Sequence, residues 1–313
     1  MPQQDSGRGS ARGKCAVNLS DAPVLASRFD PRTTAQALTA RRAAELRGQW
    51  SLSLAAVYVL IDPVLGDPVM TQPLPQGLSL ADLNDHRSQV WGRASHALAL
   101  PPGVVLDSAL APYLVELDAA EDPWLDITVG WAVQEAVASW TDTRHEGVPH
   151  RVGGWLQSAA PTPELTRMLS AWLTLSTEAA TTARYLRVAD RRVWSLMVHV
   201  LGAGHVAERL TPIQHWHWLD AHAAWQGLCA AAHADAQEPA DPQPLARFSK
   251  AQWAVMAQGP AIHAHIAQHQ ARRVMTADVT VAAQSAPVSD AQWRAAVAHA
   301  GLKNKTDQEG RAP

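Results

Sequence analysis

Three histidines, His215, His217 and His222, are the side chains of this sequence whose spacing could hold a metal ion. Alternate strand positions turn the first two imidazoles to one face, within reach of a common cation. His265 and His269 repeat the idea at the i, i+4 spacing of a helix, but no acidic residue lies between them in the zinc-protease pattern. With 14 histidines in 313 residues such pairs arise by chance, and most are surface or satisfied core groups. Asp62 ends an apolar run, where α/β enzymes set a nucleophile or metal ligand, with Asp67 close behind; directly before Pro63 its ordinary role is to form a turn. The histidine-rich strand and Asp62 together would make a metal-dependent hydrolase, one functional alternative. No Gly-x-Ser-x-Gly elbow is present, neither cysteine stands in a catalytic signature, and Gly202-Ala203-Gly204 follows a helical pattern and reads as a helix stop. No catalytic residue, bound metal or cofactor is expected.

The other unusual residue type is tryptophan. Thirteen of them supply core anchors and leave candidates for a contact surface. Trp216 and Trp218 alternate with His215 and His217 and share one face of the same strand. With Trp225, Arg187 and Arg192 they are the expected partner-binding residues, a ring that anchors a partner being worth about 2 kcal/mol.

The elements that must position these residues follow from pattern and punctuation. Thr34–Gly48 is helical, with Ala35, Leu38 and Leu46 on one side and Arg41, Arg42, Glu45 and Arg47 on the other. Leu52–Ile61 is a central strand stopped by Asp62-Pro63. A helix is expected over Ala81–Ala97, a strand over Pro112–Leu117, and a helix capped by Asp122-Pro123 reaching Ser139. Val152–Gln157 and Ala183–Val188 read as strands, with a helix opened by Thr162-Pro163-Glu164 between them. Asp190 caps a helix ending at Gly202. Ser249-Lys250-Ala251-Gln252-Trp253 and Ser289-Asp290-Ala291-Gln292-Trp293 are two helix starts with capping-box spacing, and Gly259-Pro260 should kink the first. The expected class is α+β: a mixed N-terminal α/β lobe with a small sheet flanked by helices, followed by an all-helical C-terminal lobe. Its parts are a flexible tail over 1–20, the α/β lobe over 21–229, a Pro-rich linker over 230–248, the helical lobe over 249–302 and a frayed tail over 303–313.

Composition narrows the function. A formal charge of −3 lacks the basic excess that phosphate neutralisation needs, so nucleic acid is not an expected partner. Two cysteines, Cys15 and Cys229, rule out a cysteine zinc cage or a disulfide scaffold and suit a reducing compartment. The first 20 residues lack the apolar core of a secretory signal, and Leu52–Ile61 falls short of the roughly 20 residues of a membrane span. A cytoplasmic protein with no membrane partner is expected.

Several separated segments, in order, resemble a known family. They are Val57-Tyr58-Val59-Leu60-Ile61-Asp62 with Gly66-Asp67-Pro68; Ala111-Pro112-Tyr113-Leu114-Val115 with Leu117-Asp118; and Gly153-Gly154-Trp155-Leu156. The run Arg184-Tyr185-Leu186-Arg187-Val188-Ala189-Asp190-Arg191-Arg192-Val193 and the Thr211-Pro212-Ile213 turn leading to Trp216 complete the set. In these the chain resembles the effector adaptors or chaperones of bacterial type VI secretion, the Tap/TEC family, over about residues 35 to 300. The resemblance implies a non-enzymatic protein that binds a cognate toxin effector and delivers it to the VgrG-type spike or its PAAR cap. That family usually has Pro where Arg191 stands. At this position a preset helical φ is lost and a cation meets the positive end of a helix, an expected cost of about 0.3–1 kcal/mol.

Overall fold

The structure is a computed structural model that describes residues 30–50, 55–118 apart from 71, 73 and 76, 121–141, 148–177, 184–230, 245, 247–276 and 286–309. The expected tail over 1–20 and most of the expected linker lie outside these residues.

Strand β1 (Ala56–Ile61) is apolar throughout because both of its faces are covered. Val57, Val59 and Ile61 enter one core cluster, while Tyr58 and Leu60 enter the other. It sits inside a six-stranded antiparallel sheet of order β2-β3-β1-β4-β7-β8, formed with β2 (Ser95–Ala97), β3 (Tyr113–Leu117), β4 (Val152–Ser158), β7 (Ile213–Leu219) and β8 (Trp225–Cys229). Helix α1 (Pro31–Trp50), capped by Asp30, and α3 (Pro123–Thr141), capped by Asp122, cover the Val59 face. Between β1 and β2 lies α2 (Leu80–Trp91), which holds a capping box from Ser79 and Asp82. Helix α4 (Thr162–Trp172), α5 (Arg191–Leu201) and the short α6 (Ala203–Ala207) contribute Leu169, Trp172, Trp194 and Val206 to the other face.

A second, three-stranded sheet, β6-β5-β9, joins β5 (Thr174–Thr177) antiparallel to β6 (Arg184–Tyr185) and parallel to β9 (Arg247–Phe248). The helices α7 (Lys250–Met256), α8 (Gly259–Thr276) and α9 (Asp290–Glu309) follow. Ile262, Ile266, Val288, Trp293, Ala296 and Ala300 belong to the same apolar cluster as Leu60, Leu156 and Trp216, so the C-terminal helices close the core of the sheet. Buried Asp220 ties the β7–β8 hairpin to the approach to α9: it accepts bonds from His222 N at 2.8 Å and Ala224 N at 3.1 Å, and from Val288 N at 2.7 Å.

The α+β class is therefore as expected, with local differences. The helix expected to reach Ala97 stops at Trp91 because Gly92 takes the left-handed conformation, and the remainder becomes β2. Of the strand expected over Ala183–Val188, Ala183 lies outside the described residues, Arg184 and Tyr185 pair with β5, and the chain then tightens into turns closed by Val188 N on the Leu186 carbonyl and Asp190 N on the Arg187 carbonyl. Gly259-Pro260 does not kink a helix. It starts a new one, with Pro260 in the first turn, where a missing N–H leaves no bond unmade. The last helix continues to Glu309, because the segment after Gly301 carries neither Gly nor Pro until Gly310.

Two glycines of β4 set how closely neighbouring chain can approach. A Cβ on Gly153 would collide with the Ala189 carbonyl, and one on Gly154, at φ +150°, would lie 2.5 Å from Trp216 Nε1 and 2.6 Å from the His217 oxygen. Gly154→Ala is expected to destabilise the fold by about 2–3 kcal/mol, from backbone strain and overpacking. Its urea midpoint against that of the parent chain checks this.

Candidate functional site

The chain leaves β6 and turns twice before α5, and this turn carries the charged groups. Asp190 caps α5 by accepting Arg192 N at 3.0 Å. Arg191 points inward: it donates to Glu135 Oε2 at 2.7 Å and to the Ala132 carbonyl at 2.9 Å, and is 3% exposed. The cation expected to burden the helix start is thus a buried brace between α5 and α3, paired with Glu135.

A ladder of alternating charge runs along the same turn. Asp62 accepts Val64 N at 3.0 Å, fulfilling its turn-forming role, and also takes Arg187 Nε at 3.1 Å and Nη2 at 2.8 Å. Arg187 Nη2 lies 3.7 Å from Asp190, which Arg192 grips with Nε at 3.1 Å and Nη2 at 2.7 Å. The carboxylates are hidden and the cations are not: the Asp62 and Asp190 side chains are 0% and 2% exposed, those of Arg187 and Arg192 26% and 29%. Burial raises the Asp62 carboxyl above its ordinary range, with Arg187 opposing. For Asp190 burial acts in the same direction, but Arg192 and Arg187 outweigh it and the carboxyl is lowered.

Above this ladder lies a cleft of about 290 Å³. One wall is the stretch from Tyr185 to Leu196. The other comes from Trp253 and Met256 of α7 and Pro260 and His263 of α8. Helix α7 is fixed by a capping box in which Ser249 and Gln252 satisfy each other's backbone N–H groups, and this sets Trp253 one turn inside the helix. The exposed Arg184 holds its guanidinium 5.2 Å from the Trp253 ring centroid. Tyr185 Oη is buried in the lining without a hydrogen-bond partner among the described residues. The cleft can grip an apolar side chain and an anionic group beside it.

Of the five residues expected to meet a partner, the structure brings Arg187 and Arg192 together at this cleft. Trp216 and Trp218 are 0% and 3% exposed and belong to the core beneath it. Trp216 stacks on Trp194, ring centroids 3.8 Å apart, and Trp218 Nε1 donates to Ser195 Oγ at 2.8 Å. Trp225 packs against Trp155 on the other face of the sheet and donates to the Arg42 carbonyl. Nine tryptophans are buried and the remaining four partly buried, so the surplus is spent on core stacking. Trp253, Tyr185 and Arg184 were not among the expected residues. Trp253 had a signal, its fixed place in a capping-box segment, while Arg184 and Tyr185 lie inside the resemblance motif.

The histidines do not converge. His215 and His217 stack with centroids 6.0 Å apart, His222 turns its Nδ1 to the Ala286 carbonyl at 3.0 Å, and His265 lies against His299. Among the described residues no three His, Cys, Asp or Glu side chains are placed to hold a metal ion.

His150 and His263 instead line a small cavity of about 60 Å³ where α8 meets the sheet. Burial, reinforced by Arg191, drives the His150 imidazole well below its ordinary value, and burial with Arg192 brings His263 down to about 4. Both depressed groups bind fewer protons folded than unfolded. Their stability contribution is therefore intact above about pH 6.5 and lost as pH falls through the window toward 4. Urea midpoints are expected to drop between pH 7 and pH 5, and less steeply for His150→Gln. A flat profile would contradict this.

Residues 75–208 are similar to a protein family described as "Domain of unknown function (DUF4123)". The matched stretch runs from just before α2 through α6. It includes the Tyr185–Leu196 wall of the cleft and the Asp190 cap, but neither β1 nor the α7–α8 wall. Comparison with curated proteins and with solved structures finds no match.

Proposed function

We propose that this chain is a non-enzymatic adaptor of a type VI secretion system. In the cytoplasm it grips a segment of one toxin effector in the cleft between α5 and α7–α8 and hands the effector to a VgrG-type spike or its PAAR cap. The observation that carries this reading is the cleft itself, an apolar lining beside a rim where the arginines are partly exposed and their carboxylates hidden. The match to DUF4123, a domain associated with type VI effector adaptors, supports the general kind of role. Among the described residues no helix is long and apolar enough to cross a membrane, which fits a carrier that meets its partners in water.

The test is co-expression with the toxin effector encoded beside this chain, followed by size-exclusion chromatography at micromolar concentration. A stable complex is expected, and clean separation of the two proteins would overturn the reading. The metal-dependent hydrolase draws no support from the geometry, since Asp62 is engaged by Arg187 and among the described residues no three His, Cys, Asp or Glu side chains are placed around a common ion.

A further inference from the structure

We infer that the cleft selects an acidic, apolar peptide segment: one large apolar side chain inserted between the two walls, with a carboxylate beside it at the arginine rim. This deepens the adaptor reading and rests on it. The apolar lining comes from Val193 and Leu196 on one wall and Trp253 and Met256 on the other, and the cleft volume of about 290 Å³ suits one or two side chains. Around it, three cations present their outer edges. Arg187 and Arg192 spend Nε and Nη2 on Asp62 and Asp190, and neither Nη1 makes a bond to the described residues. Arg184 meets no carboxylate among them and lies over Trp253.

The visible charge is therefore positive although the ladder below is balanced. Three cations over two buried carboxylates leave a surplus of one. An incoming carboxylate meets donors already held in place by Asp62 and Asp190, so little side-chain freedom is lost on binding. Tyr185 Oη adds a second requirement. A buried hydroxyl without a partner among the described residues favours an occupant that brings an acceptor, which a peptide carbonyl or carboxylate supplies. Such a lining disfavours a phosphate backbone, whose charge would have to be desolvated against Trp253 and Met256.

Binding of the separately purified effector by the full chain tests this, with Arg184→Glu, Trp253→Ala and, on α1 across the sheet, Arg32→Glu as a charge-matched control. Circular dichroism and thermal melting establish that each variant is folded. Arg184→Glu is expected to weaken binding at least tenfold and Trp253→Ala about thirtyfold, with Arg32→Glu unchanged and wild-type affinity falling as NaCl rises from 50 to 500 mM. A wild-type chain that captures no effector overturns the adaptor reading and this inference with it. Wild-type binding that both cleft variants retain overturns the inference alone, as does equal weakening by Arg32→Glu, which would report net charge rather than the cleft. A nuclease-sensitive complex would likewise contradict a peptide occupant.

Discussion

Replacing Trp216 with alanine is expected to lower the unfolding free energy by about 3–5 kcal/mol. The ring is 0% exposed and lies in a parallel stack, 3.8 Å from Trp194 and 6.2 Å from Trp172 between centroids. Its indole nitrogen makes no hydrogen bond to the described residues, so the loss is of apolar burial, ring stacking and the cavity left behind. The neighbourhood cannot collapse to fill the space, because the β4 backbone at Gly154 already touches the ring and the sheet ladder holds it there. Denaturant titration of Trp216→Ala measures the effect. Lost effector binding by this variant would follow from lost folding. An unchanged unfolding midpoint combined with weakened binding would return Trp216 to the contact surface.

The second large effect lies at Glu135. Its carboxylate is buried and takes Arg191 Nη1 at 2.7 Å and Arg151 Nε at 2.8 Å, and it also accepts the Arg151 backbone N–H at 3.2 Å. Removing it strands the Arg191 guanidinium in a nearly dry site, and breaking a buried pair from one side costs about 3–5 kcal/mol. Glu135→Ala is expected to fall in that range. The double variant Glu135→Leu/Arg191→Leu is expected to lose less than the sum of its two single changes, because it leaves no lone charge behind. A strictly additive cycle, or a loss under about 1 kcal/mol for Glu135→Ala, would show that solvent reaches Arg191 and that the brace is weak.

What could be read in advance was whatever local chemistry determines. Strand β1 declared itself by an uninterrupted apolar run, and the Ser249 and Ser289 capping boxes form as their spacing required. Asp190 caps α5 for the same reason. Strand β8 stayed hidden: Trp225-Gln226-Gly227-Leu228-Cys229 has a glycine at its centre, and its turn depends on Asp220 bonding His222 and Ala224. The four residues of β5 likewise carry too short a pattern and exist through partners in β6 and β9.

The site divides in the same way. That Arg187 and Arg192 share one cleft follows from their places on either side of the Asp190 cap, but the fate of Arg191 was not readable, since Glu135 lies 56 residues away in sequence. Alternation placed Trp216 and Trp218 on one face correctly. Whether that face meets solvent or helices depends on α4, α5 and the C-terminal helices packing over it, a fact of tertiary structure that period-two patterning does not contain.

The claim at the centre is that this chain holds its cargo between α5 and α7. A photo-crosslinking amino acid placed at Met256, with a matching placement at Gln36 on the opposite face, tests it during co-expression with the effector. The account predicts an adduct from position 256, mapped by mass spectrometry to an acidic and apolar stretch of the effector, and none from position 36. Adducts from position 36 alone, with position 256 silent, would contradict it.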